Sequence, residues 1–283
     1  MSLPRSGAVP AVSVVMAVYN AEPWLVEAVD SVLGQTFADF ELVVVDDGSV
    51  DATPEILRKL HDPRLRVITQ RQLGQTPALN HGLRVARGVL IARMDGDDVA
   101  LPERFARQVA FLRAHPEVGL LGTACREISA SGEVLRTITP PSDDRALRRV
   151  LIRTNPFTHS SMMFRRTVLD ASGWYDERFV VAQDYDLWLR MSRLTRLASL
   201  DEPLVLRRLA PGQLSSARDT TRIHDEVAAK LKALRSGTYA PWCAVFLAKP
   251  LCALALPLAL RRALRRAILR GSSPAAITPP SHP

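Results

Sequence analysis

Four short apolar runs near the N-terminus, residues 12–18, 40–45, 65–69 and 89–94, alternate with segments of helical period. The first run, Val12-Ser13-Val14-Val15-Met16-Ala17-Val18, is almost continuously apolar and rich in β-branched residues. That is the composition of a strand covered on both faces. Between the first two runs, Leu25, Ala28, Val29, Val32 and Leu33 recur at helical spacing. Thr53-Pro54 and Thr76-Pro77 each open a helix, with a hydroxyl at the N-cap and proline in the first turn. Such alternation calls for a parallel sheet with right-handed crossovers, so the chain is read as an α/β protein with a Rossmann-like sheet.

The strand ends carry the polar residues. The first strand runs into Ala17-Val18-Tyr19-Asn20-Ala21-Glu22, a strand-to-helix turn that can hold an anion or a base ring. The second ends in Asp46-Asp47-Gly48-Ser49-Val50-Asp51 and the fourth in Asp95-Gly96-Asp97-Asp98. Open α/β sheets hold their ligands at these carboxyl ends. Carboxylates crowded together repel unless a cation lies between them. Their oxygens suit Mg²⁺ or Mn²⁺ shared with substrate phosphates, although a solvated acidic turn would use the same residue types. Asp47, Ser49 and Asp51 read equally well as caps of the helix that follows, whereas Asp46, still in the strand, reads as a ligand of a base N–H. Asp184 precedes the apolar helix of residues 185–194. It is open to two readings, a helix cap or a carboxylate able to take the proton of a hydroxyl nucleophile.

The second half is less regular. Helices are expected at 104–114, 147–152, 184–194 and 218–235, and strands at 118–123 and 160–164. With 283 residues, 47% of them apolar, one large α/β domain with additions is within reach and global disorder is excluded. Cys125, Cys243 and Cys252 are odd in number and lack metal-type spacing, which argues against a disulfide framework or a zinc site and for a reducing compartment. The N-terminus does not have a signal-peptide layout. No Gly-x-Gly-x-x-Gly, P-loop or Gly-x-Ser-x-Gly motif is present, so a dinucleotide site, a P-loop enzyme and a hydrolase elbow are unsupported.

Much of the net charge of +8 lies in one place, Arg261, Arg262, Arg265, Arg266 and Arg270. Leu260, Leu264, Ala267 and Ile268 share the opposite helical face. The preceding residues 242–260 are largely apolar, but Lys249, Pro250 and Pro257 interrupt them, a poor membrane span. The layout is that of a helix lying on an anionic membrane surface, or of a solvated helix packed on the domain. It lacks a recognisable nucleic-acid module.

The stretches Val12–Asn20, Gln35–Ser49, Ala92–Asp98 and Gln183–Arg190 occur together and in order. On them the chain resembles an inverting glycosyltransferase of family 2, with the GT-A fold for nucleotide sugars, over roughly residues 10–215. The resemblance implies a mostly parallel GT-A sheet flanked by helices. Its domain would span 11–215, with a nucleotide-binding half (11–100) and an acceptor half (101–215). A helical extension would occupy 216–271, with tails at 1–10 and 272–283. The implied activity moves a sugar from a nucleoside-diphosphate donor, a UDP-sugar first among them, to a hydroxyl of a glycan or lipid-linked glycan in cell-surface polysaccharide synthesis. The implied cofactor is Mg²⁺ or Mn²⁺. Ala17, Val18, Tyr19, Asp46, Asn80, Asp95 and Gly96 would hold the nucleotide sugar, Tyr19 by stacking on the base and Asp46 by accepting its ring N–H. Asp97 would bind the metal with help from Asp95, and Asp98 would support the loop. Asp184 would be the general base. His159, Trp174 and Gln183 would line the acceptor pocket, a structural role for His159 being equally open, and Trp188 would be core. Two departures stand out. Gln183 replaces a common Glu, and Arg207-Arg208-Leu209-Ala210-Pro211 offers no His as a further metal ligand. Residues 242–270 would bring a cytoplasmic protein to the inner face of the cell membrane. The alternatives are a catalytically silent nucleotide-binding or scaffold protein, and a nucleotidyltransferase on a related sheet. The latter would bring a Gly-rich basic first loop, which residues 18–22 are not.

Overall fold

The computed structural model describes residues 9–210 and 219–255. Strands β1 (Val12–Val18), β2 (Phe40–Asp46), β3 (Leu65–Thr69) and β4 (Leu90–Asp95) are parallel and lie in the order β3-β2-β1-β4. Helices α1 (Leu25–Leu33), α2 (Thr53–Lys59) and α3 (Gln75–Val85) connect them. Alternate residues of the central strands enter different cores, as the strand period requires. Val14, Met16, Leu42 and Val44 pack with Leu25 and Val29 of α1. Val15, Ala17, Val43 and Val45 pack with Leu79 and Leu83 of α3 on the other face. The sheet is therefore covered on both sides. The register pairs Val18 with Asp46 and Ala17 with Asp95, so three carboxyl ends finish level.

The chain continues through β5 (Val99–Ala100), α4 (Arg104–Ala114), β6 (Val118–Ser129), β7 (Val134–Ile138) and α5 (Asp144–Leu151). A 3₁₀ turn (His159–Ser161), β8 (Met163–Arg165), α6 (Arg166–Ser172), α7 (Gln183–Met191) and β9 (Arg196–Leu209) follow. They extend the sheet from β4 as β8-β6-β9-β5, with β7 beside β6. Here the sheet is mixed: β8 is antiparallel to β4 and β6, while β9 is parallel to β6.

Three elements depart from expectation. β6 runs on to Ser129 because the turn at Gly132, with φ of +90°, folds β7 back onto it. The expected strand at 160–164 is broken, since Ser161 bonds back to the Thr158 carbonyl through both its N–H and its hydroxyl. β9 was hidden by Asp201-Glu202-Pro203. Leu200 pairs with Thr123 but Pro203 with Ala124, so the two acidic residues bulge out and a long strand survives.

Helix α8 (Asp219–Arg235), a 3₁₀ segment (Pro241–Leu247) and α9 (Ala248–Ala255) form the extension. Ile223, Ala229 and Ala233 of α8 are buried. Lys230 is buried too, and its ammonium donates to the carbonyl of Arg153 at 2.8 Å, the Glu226 carboxylate at 2.7 Å and the carbonyl of Phe246 at 3.4 Å. A buried cation needs such partners, and here they bind α8 to the domain and to the 3₁₀ segment. Trp242 and Val245 remain exposed. Among the described residues no helix is long and apolar enough to cross a membrane. The expected terminal tails and the basic face of residues 260–270 lie outside the described residues.

Candidate active site

A cleft of about 990 Å³ opens over the level ends of β1, β2 and β4, where a doubly wound sheet places its ligands. Ala17, Val18 and Tyr19 line it, and Tyr19 is 43% exposed. Asn20 holds a positive φ of 50°, and its side-chain oxygen accepts the Val50 N–H at 2.9 Å. Its own N–H donates to the Ser49 hydroxyl at 2.9 Å, so the loops after β1 and β2 are stapled together. Gly48, at φ +74°, lies so close to the Gln72 N–H that a Cβ would sit 2.7 Å from that nitrogen.

The carboxylates near these ends have different surroundings. Asp46 is buried, one oxygen accepting the Ser49 N–H at 3.0 Å and the other left without a partner. It does not line the cleft itself. Asp47 accepts from Gln70, Leu73 N–H and Gly74 N–H at 2.7–2.9 Å, so it shapes the loop before α3 and does not cap α2. Asp51 does meet the start of α2, at the Thr53 N–H. Asp95 pairs with the buried Arg93 guanidinium and accepts the Ser160 hydroxyl at 3.0 Å. Burial opposes its charge, but Arg93, His159 and the Ser160 bond together hold its carboxyl below the usual range.

Gly96 brings the acidic loop against β1, because a Cβ there would lie 2.7 Å from Val18 Cγ1. Asp97 lines the cleft, and its backbone carbonyl accepts from Arg208 Nε at 3.0 Å. Asp98 is buried and accepts the Arg208 backbone N–H at 2.8 Å, tying the loop to β9. Burial, then the charges of Asp97 and Asp95, push Asp98 up to about 8. The second part of that shift is like-charge repulsion, which a cation relieves. Among the described residues no three His, Cys, Asp or Glu side chains converge into a ready cage. Two cleft carboxylates fit Mg²⁺ or Mn²⁺ whose remaining positions go to diphosphate oxygens and water.

Asp184 also lines the cleft, from the first turn of α7. Its carboxylate accepts from Asn155 Nδ2 at 2.8 Å and from the Tyr185 N–H at 2.7 Å. The N-cap position itself belongs to Ala182. Burial pushes Asp184 up to about 6. Gln183 donates to Gln75 at 2.9 Å, and Gln75 in turn to Asp95 at 3.3 Å, a polar chain from the start of α7 to the acidic loop. The Gln183 amide oxygen is buried without a partner. His159 lines the cleft, bonds the Tyr175 hydroxyl at 2.7 Å and packs edge-on against Trp188, which is core. Burial drives its imidazole well below the usual value.

Besides Asp46, two expected site residues are placed outside the cleft wall. The Asn80 amide donates to the Tyr175 carbonyl and Glu177 and accepts the Tyr175 N–H, so it pins a loop and is not in the cleft wall. Trp174 packs beside the core with its indole N–H on Asp170, also outside the cleft wall. Other residues of the site escaped the sequence reading. Arg93, two places before Asp95 on the same strand, was within reach of a period-of-two argument. Ser160, Asn155, and Arg222 and Glu226 of α8 come from distant parts of the chain, and no local pattern marks them.

The profile of glycosyl transferase family 2 matches residues 13–173. An amylovoran biosynthesis glycosyltransferase, AmsE, of Erwinia amylovora is 32% identical over 222 residues, which are 76% of this chain and 82% of that protein. TarS of S. aureus, solved in complex with UDP-GlcNAc, superposes with a TM-score of 0.67 at 21% identity, covering 93% of this chain and 81% of that one. A mannosyltransferase of Pyrobaculum calidifontis, solved with GDP-Man and Mn²⁺, superposes with a TM-score of 0.62 at 24% identity, covering 94% and 84%. These two likenesses concern the fold, which is of the GT-A type. The chain belongs to glycosyl transferase family 2. It spans 64% of the length of one curated relative, an uncharacterized glycosyltransferase of Methanocaldococcus jannaschii.

Proposed function

We propose that this chain transfers a sugar from a nucleoside-diphosphate donor, with UDP-sugars first, to a hydroxyl of a glycan or lipid-linked glycan, with inversion at the anomeric carbon. The observation that carries this reading is that Asp184 and the pair Asp95 and Asp97 line one and the same cleft. Tyr19 would stack on the base, and the unpartnered oxygen of Asp46 suits a donated ring N–H just behind the wall. Asp97, with Asp95, would hold a divalent cation, which when bound neutralises the charge that develops on the leaving diphosphate. Asp184 takes the acceptor proton as the oxygen attacks from the face opposite the diphosphate, so a single displacement inverts the centre. The Asn155 bond fixes the carboxylate in that direction. A polysaccharide acceptor is supported by the relative named for amylovoran biosynthesis and a UDP-sugar donor by the structure with UDP-GlcNAc.

A screen of nucleotide sugars with Mn²⁺ or Mg²⁺, scored by release of the nucleoside diphosphate, tests the donor reading. Release from at least one UDP-sugar that stops on chelation is expected. No diphosphate release from any nucleotide sugar, with pyrophosphate released instead when the protein is given a nucleoside triphosphate and a sugar 1-phosphate, would point to nucleotidyl transfer and overturn it.

The extension is proposed to meet an anionic membrane. Exposed Trp242, Val245 and Leu251 precede the five arginines between 261 and 270. Anionic vesicles should bind the full chain, and binding should weaken with salt because surface attraction is screened over about 10 Å at 0.1 M. The informative truncation falls after Ala255, since Phe246 holds Lys230 of α8 and an earlier cut would uncover that ammonium. Equal sedimentation of the two proteins with vesicles would refute a role for the arginines.

A further inference from the structure

Helix α8 begins well past residue 173, where the family profile ends, and past residue 215, where the sequence reading ends the domain. It still builds the cleft, because Arg222 and Glu226 line it. Between them stands Asp225. One of its carboxylate oxygens accepts the backbone N–H groups of Val180 at 2.9 Å, Val181 at 2.9 Å and Ala182 at 3.4 Å. Ala182 is the N-cap of α7, and its methyl side chain cannot take up the free N–H groups of a helix start. Asp225, from another helix, takes up the N–H groups of this N-cap and of the two residues before it, and its negative charge lies at the positive end of α7. The next two residues are Gln183 and Asp184.

The loop leading into α7 is held at other points too. Lys232 of α8 donates to Asp176 and to Asp186, each at 2.9 Å. The Thr76 hydroxyl of α3 donates to the Phe179 carbonyl at 2.9 Å. Among the anchors on the loop before Gln183, the one nearest to Asp184 along the chain is Asp225.

We infer that Asp225 is a positioning residue for sugar transfer: it fixes the start of α7 so that Asp184 meets the acceptor, and α8 thereby belongs to the catalytic unit. The inference rests on the reading of Asp184 as the base. Displacing a reacting group by about 1 Å costs on the order of 10²-fold in rate, whereas the nucleotide half of the cleft is untouched by such a shift.

The test uses the full chain carrying Asp225→Ala, Asp225→Asn, Asp184→Asn and the two double variants. Folding is checked by circular dichroism, nucleotide affinity by calorimetry and turnover by product release. Asp225→Ala should lower turnover by about tenfold or more with nucleotide affinity unchanged, and amide exchange at residues 180–186 should quicken. Asp225→Asn, which keeps an oxygen acceptor but loses the charge, should fall between. In the Asp184→Asn background neither change should cost further turnover, because residues acting through one group are not additive. Equal fractional losses in both backgrounds, or full turnover in Asp225→Ala, would overturn the inference. If Asp225→Ala does not fold, Asp225→Asn makes the same comparison. Near-normal turnover of Asp184→Asn alone would remove the base reading and this inference with it. An inactive Asp184→Asn beside a fully active Asp225→Ala would remove this inference only.

Discussion

Asp184→Asn is expected to lower turnover by about 10²-fold or more, the usual worth of a positioned general base, and to leave nucleotide affinity unchanged. In free energy that is about 2.7 kcal/mol of lost transition-state stabilisation. The substitution keeps shape but not chemistry. The wild-type carboxylate accepts from two donors, Asn155 Nδ2 and the Tyr185 N–H. An amide offers only one oxygen, so one of these bonds is lost, at about 1 kcal/mol. Asn155 does not readily turn its amide to compensate, because its own oxygen accepts the Phe157 N–H at 3.1 Å. Single-turnover kinetics separate the chemical step from binding. A variant that retains near-normal turnover would leave Asp184 as a structural carboxylate only.

The same residue sets the pH dependence. Burial pushes Asp184 up to about 6, so it is ionised at neutral pH and protonated in mild acid. Turnover should fall by about tenfold per pH unit below that value, provided chemistry limits the rate. The sign for stability is opposite. A carboxyl whose pKa is raised on folding is harder to ionise in the folded state, so its charge weakens the fold above about pH 6 and has no such effect below the unfolded value. Asp184→Asn removes that penalty at neutral pH, against the one lost hydrogen bond. Melting of the variant at or above the wild-type temperature at pH 7.5, and below it at pH 4, checks this balance.

The residues legible in the sequence were those whose role follows from local pattern. The two-sided burial of β1 and β2 is written in Val12–Val18 and Phe40–Asp46, where consecutive apolar residues leave no solvent face. Asp95, Gly96 and Asp97 followed from their place at a strand's end, and the cleft does lie there. What escaped depends on the partner element. Asn80 looks like a polar residue near the nucleotide side, yet a distant loop engages its amide on both sides. Trp174 was placed in the acceptor pocket by the resemblance, but Arg84 and Asp170 hold it at the edge of the core. β9 was masked by a bulge that only pairing with β6 makes tolerable. The contribution of α8 could not be read at all, since nothing in Arg222-Ile223-His224-Asp225-Glu226 announces that Asp225 meets a helix start 43–45 residues earlier.

Asp97→Ala is expected to remove the metal-dependent part of nucleoside-diphosphate affinity, a loss of tenfold or more at about the scale seen when a metal site loses support. The fold should survive. The loop keeps its Gly96 approach to Val18, and the bond from Arg208 Nε goes to the Asp97 backbone carbonyl, which alanine retains. Asp98 supplies the contrast. It is buried and spends an oxygen on the Arg208 backbone N–H, so Asp98→Asn, which still accepts that bond, should leave the affinity largely intact. Loss of the Asp97 charge should also let Asp98 ionise at lower pH, since Asp97 is the larger of the two like charges that hold it near 8. Calorimetry of UDP binding with Mn²⁺, and again with chelator, separates the metal-dependent part from the rest. In the wild type the chelator should weaken binding, and in Asp97→Ala it should have little left to remove. Unchanged affinity in the variant, still sensitive to chelator, would move the cation away from Asp97. The acidic loop would then serve to orient the sugar, with Arg93 as the internal counter-charge of Asp95.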